Sequence, residues 1–259
     1  MREFRRGLAR GLAQIYVFFY KYKFICAAFV LLLFLLGPAA IRTYRHEMKV
    51  KAAGELMWEN MVCMEHASED YLADWLIVMV DAGHGGKDPG AIYGDIYEKD
   101  ITLSVANLIA ALLEPHKIKV IMTRDEDVFV DKYDRAYMAN KEKADLFISI
   151  HVNDLAQTSH SGIETYYGLD KTDGQQFAEY IHNAVLKNTH AVDQGTKSAG
   201  YVVVKYTVMP SALLEIGYMS NPEEREKLQS AAYRQMLAEG IANGIIEYAE
   251  DVLGKTEPK

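Results

Sequence analysis

Hydrophobic and polar positions follow three different rhythms along this chain. Phe24 to Ala40 reads FICAAFVLLLFLLGPAA, seventeen residues without a charge, and Ile41 extends the run. At 1.5 Å per residue a helix of that length spans about 26 Å, just enough for a bilayer core. Residues 43–75 then hold no proline and a single glycine, Gly54, with Leu56, Met57, Val62, Met64 and Leu72 at irregular helical spacing. A short helical stalk is expected there.

From Leu76 the rhythm changes again. Leu76–Val80 (LIVMV) is a short apolar run that ends in the turn Asp81-Ala82-Gly83-His84-Gly85-Gly86, which predicts a buried strand and a tight turn. Asp100 is placed to cap a helix carrying Ile101, Val105, Leu108 and Leu112, with Pro115 just beyond it. Ile118–Met122 predicts a second strand, and Asp131 caps a helix to about Lys143. Leu146–Ile150 and Ile163–Tyr167 predict two more strands, followed by a helix near Gln175–Lys187. Val202–Val204 and Ala212–Ile216 read as further strands, and Ala231–Asp251 as a long amphipathic helix. Strands alternating with helices predict an α/β fold, a mostly parallel twisted sheet with helices on both faces, preceded by an N-terminal transmembrane helix. The expected organisation is a basic N-terminus (1–23), a membrane segment (24–41), a stalk (42–75), a catalytic domain (76–252) and a tail (253–259).

Charge sharpens these divisions. Residues 1–51 carry ten Lys/Arg and two Asp/Glu, residues 52–75 six acids and no Lys/Arg, and residues 76–259 are acidic again, within a whole-chain charge of −8. That balance offers no overall basic surface for nucleic acid. Six basic residues precede the apolar run and four follow it, which favours a cytoplasmic N-terminus and an exported C-terminal portion. Residues 24–41 read as a signal anchor in the lipid bilayer or as a signal peptide cut after Ala39 or Ala40. Two cysteines, Cys26 and Cys63, cannot build a disulfide framework or a Cys-rich metal site.

In open α/β sheets ligands bind outside the carboxyl ends of the strands. His84, His151 and Glu215 fall at or just after such ends, and Glu98 lies in the loop after His84. His84, Glu98 and His151 would supply two histidines and a carboxylate, a zinc ligand set that leaves one position open. Zinc there would ease ionisation of water and polarise a carbonyl. Glu215 could move the proton between water and a leaving amine. The plainer reading stands beside this one. A loop histidine is most often structural, and an acid at a strand end is often a cap or an ion-pair partner. His66, His116, His160, His182 and His190 show no partner spacing and are read as structural. Gly83–Lys87 is no phosphate loop, because Asp88 follows Lys87.

Four ordered segments change the balance. Asp81-Ala82-Gly83-His84-Gly85-Gly86, Tyr97-Glu98-Lys99-Asp100, Ser149-Ile150-His151-Val152-Asn153 and Leu214-Glu215-Ile216-Gly217-Tyr218-Met219-Ser220-Asn221-Pro222 resemble the zinc-dependent, type 3 N-acetylmuramoyl-L-alanine amidases. Met122-Thr123-Arg124 and Arg135 with Ala139-Asn140 resemble further segments of that family. The resemblance covers about residues 76–250. It implies that His84, Glu98 and His151 bind one zinc ion, that Glu215 is catalytic, and that the substrate is peptidoglycan. The bond cut would join the lactyl group of N-acetylmuramic acid to L-alanine of the stem peptide. Asn153 and Arg135 are candidates for substrate binding or support of the site, with a structural hydrogen bond as the alternative for each. Ala82 stands where the family often has proline, which relaxes the turn without removing a functional group. Only eleven residues separate His151 from Ile163, so an inserted plug helix of the kind some members carry is not expected. A non-catalytic wall-binding scaffold, or a zinc peptidase cutting within the stem, remain the competing readings. A single catalytic domain behind a hydrophobic segment resembles members acting in sporulation or germination. Need for a protein activator stays open at this stage.

Overall fold

A computed structural model describes residues 75–255. The expected basic N-terminus, membrane segment, stalk and both cysteines lie outside these residues, as does the end of the tail. Among the described residues no helix is long and apolar enough to cross a membrane.

The chain runs β1 (Leu76–Ala82), a small hairpin of β2 (Ile92–Tyr93) and β3 (Ile96–Tyr97), α1 (Glu98–Leu113), β4 (Ile118–Met122), α2 (Lys132–Lys141), β5 (Leu146–Asn153) and β6 (Ile163–Gly168). It continues through α3 (Thr172–Thr189), β7 (Asp193–Ala199), α4 (Val202–Tyr206), β8 (Ser211–Tyr218), α5 (Pro222–Gln229) and α6 (Ala231–Asp251). Six strands form one sheet in the order β4-β1-β5-β8-β6-β7. All neighbours run parallel except β6 and β8, which are antiparallel. The α/β class with a mostly parallel sheet is therefore observed.

Both faces of the sheet are covered, but unequally. Val78, Val80, Ile148, Ile150 and Leu214 point into a large core closed by Ile101, Val105 and Ile109 of α1, Phe177 and Ile181 of α3, and Ile241 and Ile245 of α6. Alternation along the strands sends Met79, Phe147 and Leu213 to the opposite face. There they meet Ala139 of α2 and Val203 and Val204 of α4 in a smaller cluster.

Three local expectations need correction. Val202–Val204 is not a strand but the start of the five-residue helix α4. Its β-branched residues follow a strand propensity, yet burial of Val203 and Val204 against the second face decides the conformation. The edge strand there is β7, DQGTKSA, a mostly polar segment with a lysine, as edges that resist further pairing tend to be. Asp100 is not the cap of α1, because the helix already starts at Glu98 after an extended Tyr97. The helix after Asp131 stops at Lys141, with Lys143 at φ 52°, although Asp131 does cap it by accepting from the Tyr133 N–H. His182 is structural, as expected: its ring sits between the Thr165 hydroxyl and the Asp193 carboxylate at 2.9 Å each and ties α3 to β6 and β7.

The α3–α6 contact is close because glycine allows it. A Cβ on Gly244 would lie 2.8 Å from Ile181 Cα and 3.0 Å from Tyr180 O. Alanine normally favours a helix over glycine by about 1 kcal/mol. Here the added methyl meets backbone, and overpacking of this kind costs about 1–3 kcal/mol. Gly244→Ala is expected to lower the urea midpoint, with a net loss of up to about 2 kcal/mol. A raised midpoint would show that α3 can move aside freely.

Candidate active site

The turn after β1 sets the site. His84 takes φ 61°, a left-handed backbone uncommon outside glycine, and Gly85 and Gly86 follow at φ 127° and 56°. Two buried arginines hold this turn. Arg124 donates to Ala82 O and Gly83 O, both at 2.9 Å. Arg135 donates to Ala82 O at 2.6 Å, to His84 O at 2.7 Å and to the Asp81 carboxylate at 2.6 Å. Burial alone would push the Asp81 carboxyl up. The Arg135 charge and the hydroxyls of Ser149 and Thr123 outweigh it and hold the carboxyl below its usual range.

Glu98 enters from the first turn of α1 and His151 from the end of β5. Glu98 Oε2 accepts from the Ala91 N–H, and Oε1 accepts from the Val152 N–H, each at 2.9 Å. The same Oε1 lies 3.1 Å from His84 Nε2 and 3.1 Å from His151 Nδ1. Asp88 Oδ2 lies 2.9 Å from the other nitrogen of His84 and orients that ring. Burial opposes charge on Glu98, but its contacts with His151 and His84 prevail and hold it well below the ordinary carboxylate range. His84 is correspondingly raised to about 9: burial opposes its charge, and Glu98 and Asp88 favour it. One atom from each of His84, Glu98 and His151 lies within 4.8 Å of the other two, so the three could hold a metal ion. Two imidazoles and one carboxylate suit a borderline divalent metal.

Glu215 lies beside this cluster. In the parallel pairing of β5 and β8 it is the partner of His151, and the register shifts just after, between His151 and Asn153. Irregularities of this kind re-aim strand side chains near functional sites. Glu215 Oε2 is buried and has no hydrogen-bond partner. Burial raises its carboxyl to about 7, with His151 acting in the opposite direction. A cavity of about 340 Å³ opens in front, lined by His84, His151, Glu215, Arg135, Lys132 and Tyr201 among others.

The structure thus brings His84, Glu98, His151 and Glu215 together. Arg135 reaches the same cavity, but its hydrogen bonds brace the turn. Asn153 Nδ2 donates to Glu164 at 3.2 Å, and Glu164 is the antiparallel strand partner of Glu215. Sequence reasoning gave no role to Asp88 or Glu164, and met Arg124 only within a family-like segment. Asp88 sits four residues after His84 in a loop, a spacing with no periodic signal. Glu164 is the antiparallel partner of Glu215 and carries an ion pair with Lys197, relations visible only once β6 is laid beside β8. Residues 154–162 form a loop without a helix, so no inserted helix stands there.

A clustered His₂Glu set, a buried carboxyl beside it and an open cleft in an α/β sheet fit the pattern of a metal-dependent hydrolase. The chain belongs to the Amidase_3 family, N-acetylmuramoyl-L-alanine amidase, whose profile matches residues 78–247. Protein YqiI of Bacillus subtilis (strain 168) is 36% identical over 173 residues, covering 66% of this chain and 84% of its own. The germination-specific N-acetylmuramoyl-L-alanine amidase of the same organism is 32% identical over 187 residues, covering 66% of this chain and 79% of its own. Among solved structures, the N-acetylmuramoyl-L-alanine amidase from Clostridium difficile 630 superposes with a TM-score of 0.68 at 32% identity. The match covers 69% of this chain and 99% of that one.

Gly83 fixes the distance between the turn and His151. A Cβ on it would fall 2.5 Å from His151 Cε1 and 2.7 Å from Ile150 O. Gly83→Ala is expected to displace the His151 ring and weaken metal affinity by about 10–100-fold, the range seen when ligand orientation is lost. Titration against a chromogenic chelator reads this directly. Unchanged affinity would show that His151 is not held by this contact.

Proposed function

We propose that this chain is a zinc-dependent peptidoglycan amidase that hydrolyses the bond between the lactyl group of N-acetylmuramic acid and L-alanine of the stem peptide. His84, Glu98 and His151 are the metal ligands in this reading, and Glu215 is the general base and acid. The observation that carries it is the buried, unpartnered Glu215 Oε2 next to the His₂Glu cluster. A carboxylate left without a partner in such a place has a proton to move.

Zinc bound there supplies Lewis acidity, polarising the amide carbonyl and easing the ionisation of water. Glu215, as carboxylate, takes the proton of the attacking water. Now protonated, it delivers that proton to the alanine nitrogen as the amide bond breaks. Burial favours the protonated form of this carboxyl, which helps it hold the proton between the two halves of the exchange. Asp88 keeps the His84 ring oriented, and Glu98 is fixed by two backbone N–H groups. Arg124 and Arg135 hold the turn and take no part in the proton transfers.

The surroundings of the reaction follow from the sequence and from kinship. Residues 24–41 act as a signal anchor in this reading, leaving the catalytic domain outside the membrane. Supporting that is the apolar run with basic residues on both sides. A role in sporulation or germination is supported by the likeness to the germination-specific relative.

The test is digestion of purified peptidoglycan by the zinc-loaded full chain, with released fragments identified by mass. Free stem peptides beginning with L-alanine are expected. Glu215→Gln should retain zinc and lose about 10²–10⁴-fold in rate, the usual range for a general acid–base group. His84→Ala should lose both zinc and activity. Fragments with alanine still attached to the lactyl group would assign a peptidase instead. Full activity in Glu215→Gln would remove Glu215 from the reaction.

A further inference from the structure

We propose that the outer faces of α2 and α4 bind the glycan strand of the substrate through a platform of three exposed tyrosines, Tyr133, Tyr137 and Tyr206. The proposal rests on the peptidoglycan reading above but uses none of the cleft chemistry.

These rings are 54%, 64% and 48% exposed. Tyr133 and Tyr137 are four residues apart on α2 and so share one face of it. Tyr206, at the end of α4, brings its ring centroid to 5.7 Å from that of Tyr133. Lone exposed tyrosines are ordinary, but a grouped set on two neighbouring helices is a recognition surface in waiting. The group is also held in place. Asn140 Nδ2 donates to Tyr206 O at 2.8 Å, and Asn140 Oδ1 accepts from the Val208 N–H at 2.9 Å. That pair of hydrogen bonds between α2 and the C-terminal end of α4 fixes the rings' supports before any ligand arrives, which limits the ordering cost of binding.

The occupant follows from position and chemistry. Lys132, just before Tyr133, and Tyr201, just before α4, both line the cleft. The platform therefore begins where the cleft ends. A glycan strand that presents its scissile amide in the cleft must continue past the rim, along surfaces flush with it. Sugar rings have apolar C–H faces and a polar hydroxyl edge. Tyrosine matches this with an apolar ring face and a hydroxyl at its tip. Lys132 and Lys205 lie 5.7 Å and 5.2 Å from the centroids of the Tyr133 and Tyr206 rings and add donors beside them.

The test is co-sedimentation of the full chain with peptidoglycan glycan strands stripped of stem peptides. Such strands hold no amide to cleave, so failure here leaves the amidase reading standing, and the fragment masses test that reading separately. The Tyr133→Ala, Tyr137→Ala, Tyr206→Ala triple variant should weaken binding at least about tenfold. The matching triple phenylalanine variant keeps the ring faces and should stay within about twofold of the unaltered chain. Equal binding by the alanine variant overturns the proposal, and so does equal loss in the phenylalanine variant. Should the triple alanine variant show a lowered Tm, Tyr137→Ala alone decides: about threefold weaker binding supports the platform, and unchanged binding overturns it.

Discussion

The buried pairing of Asp81 with Arg135 is the contact on which the active site depends. Neither residue has appreciable access to solvent, and the two are 2.6 Å apart. Charges taken out of water cost several kcal/mol each unless their remaining hydrogen-bonding capacity is filled. Here it is filled on both sides. Asp81 also accepts from the Thr123 and Ser149 hydroxyls, each at 2.6 Å, which ties β1 to the residues beside it in the sheet. Arg135 turns its other donors to the Ala82 and His84 carbonyls of the turn and to the Val130 carbonyl just before α2. The same pair thus anchors α2 to the sheet and keeps a histidine in a left-handed conformation it would not hold alone.

That arrangement explains why the ligand cluster needs so little local regularity. His84 comes from a strained turn, Glu98 from a helix start and His151 from a strand end. They meet because each is fixed by a different rigid support. Glu98 is held through two backbone N–H groups, one from the hairpin side at Ala91 and one from β5 at Val152. His151 is limited by the closeness of Gly83, and His84 by Asp88. The carboxylate of Glu98 faces two imidazoles and stays ionised, whereas Glu215, with no such partner, is pushed towards neutrality. Two glutamates in one cleft are driven apart in proton affinity by their surroundings, as the proposed roles of ligand and proton carrier require.

Much of this was legible in the sequence, and the limits have physical causes. Apolar runs bounded by Gly, Asp and His marked β1, β5 and β8, because buried parallel strands have a continuous hydrophobic signature. Strand ends then pointed to His84, His151 and Glu215. The edge strand β7 left no such trace: its residues face water and carry polar side chains. Val202–Val204 misled for the opposite reason, since three valines fit a strand in isolation and the surface they cover is contributed by distant residues. Arg124 was visible only as part of a motif. Its hydrogen bonds reach carbonyls more than forty residues earlier, at Ala82 and Gly83. Local pattern cannot report contacts of that range.

The misread segment is also what shapes the cleft. One face of the sheet is closed along its length by α1, α3 and α6, and nothing could react there. On the other face α2 and α4 cover Met79, Phe147 and Leu213, the early parts of β1, β5 and β8. Further along the same strands, Asp81, Ser149, His151 and Glu215 continue this face by alternation. Asp81 and Ser149 are sealed by Arg135, and only then does the surface open at His151 and Glu215. A strand at Val202–Val204 would have lain in the sheet and left this face uncovered. As a short helix it buries two valines against the sheet and places Tyr201 at the rim. Helix α4 is therefore both a cover of the small core and, through Val202 and Val203 with Tyr201 just before it, a wall of the cleft that holds Glu215.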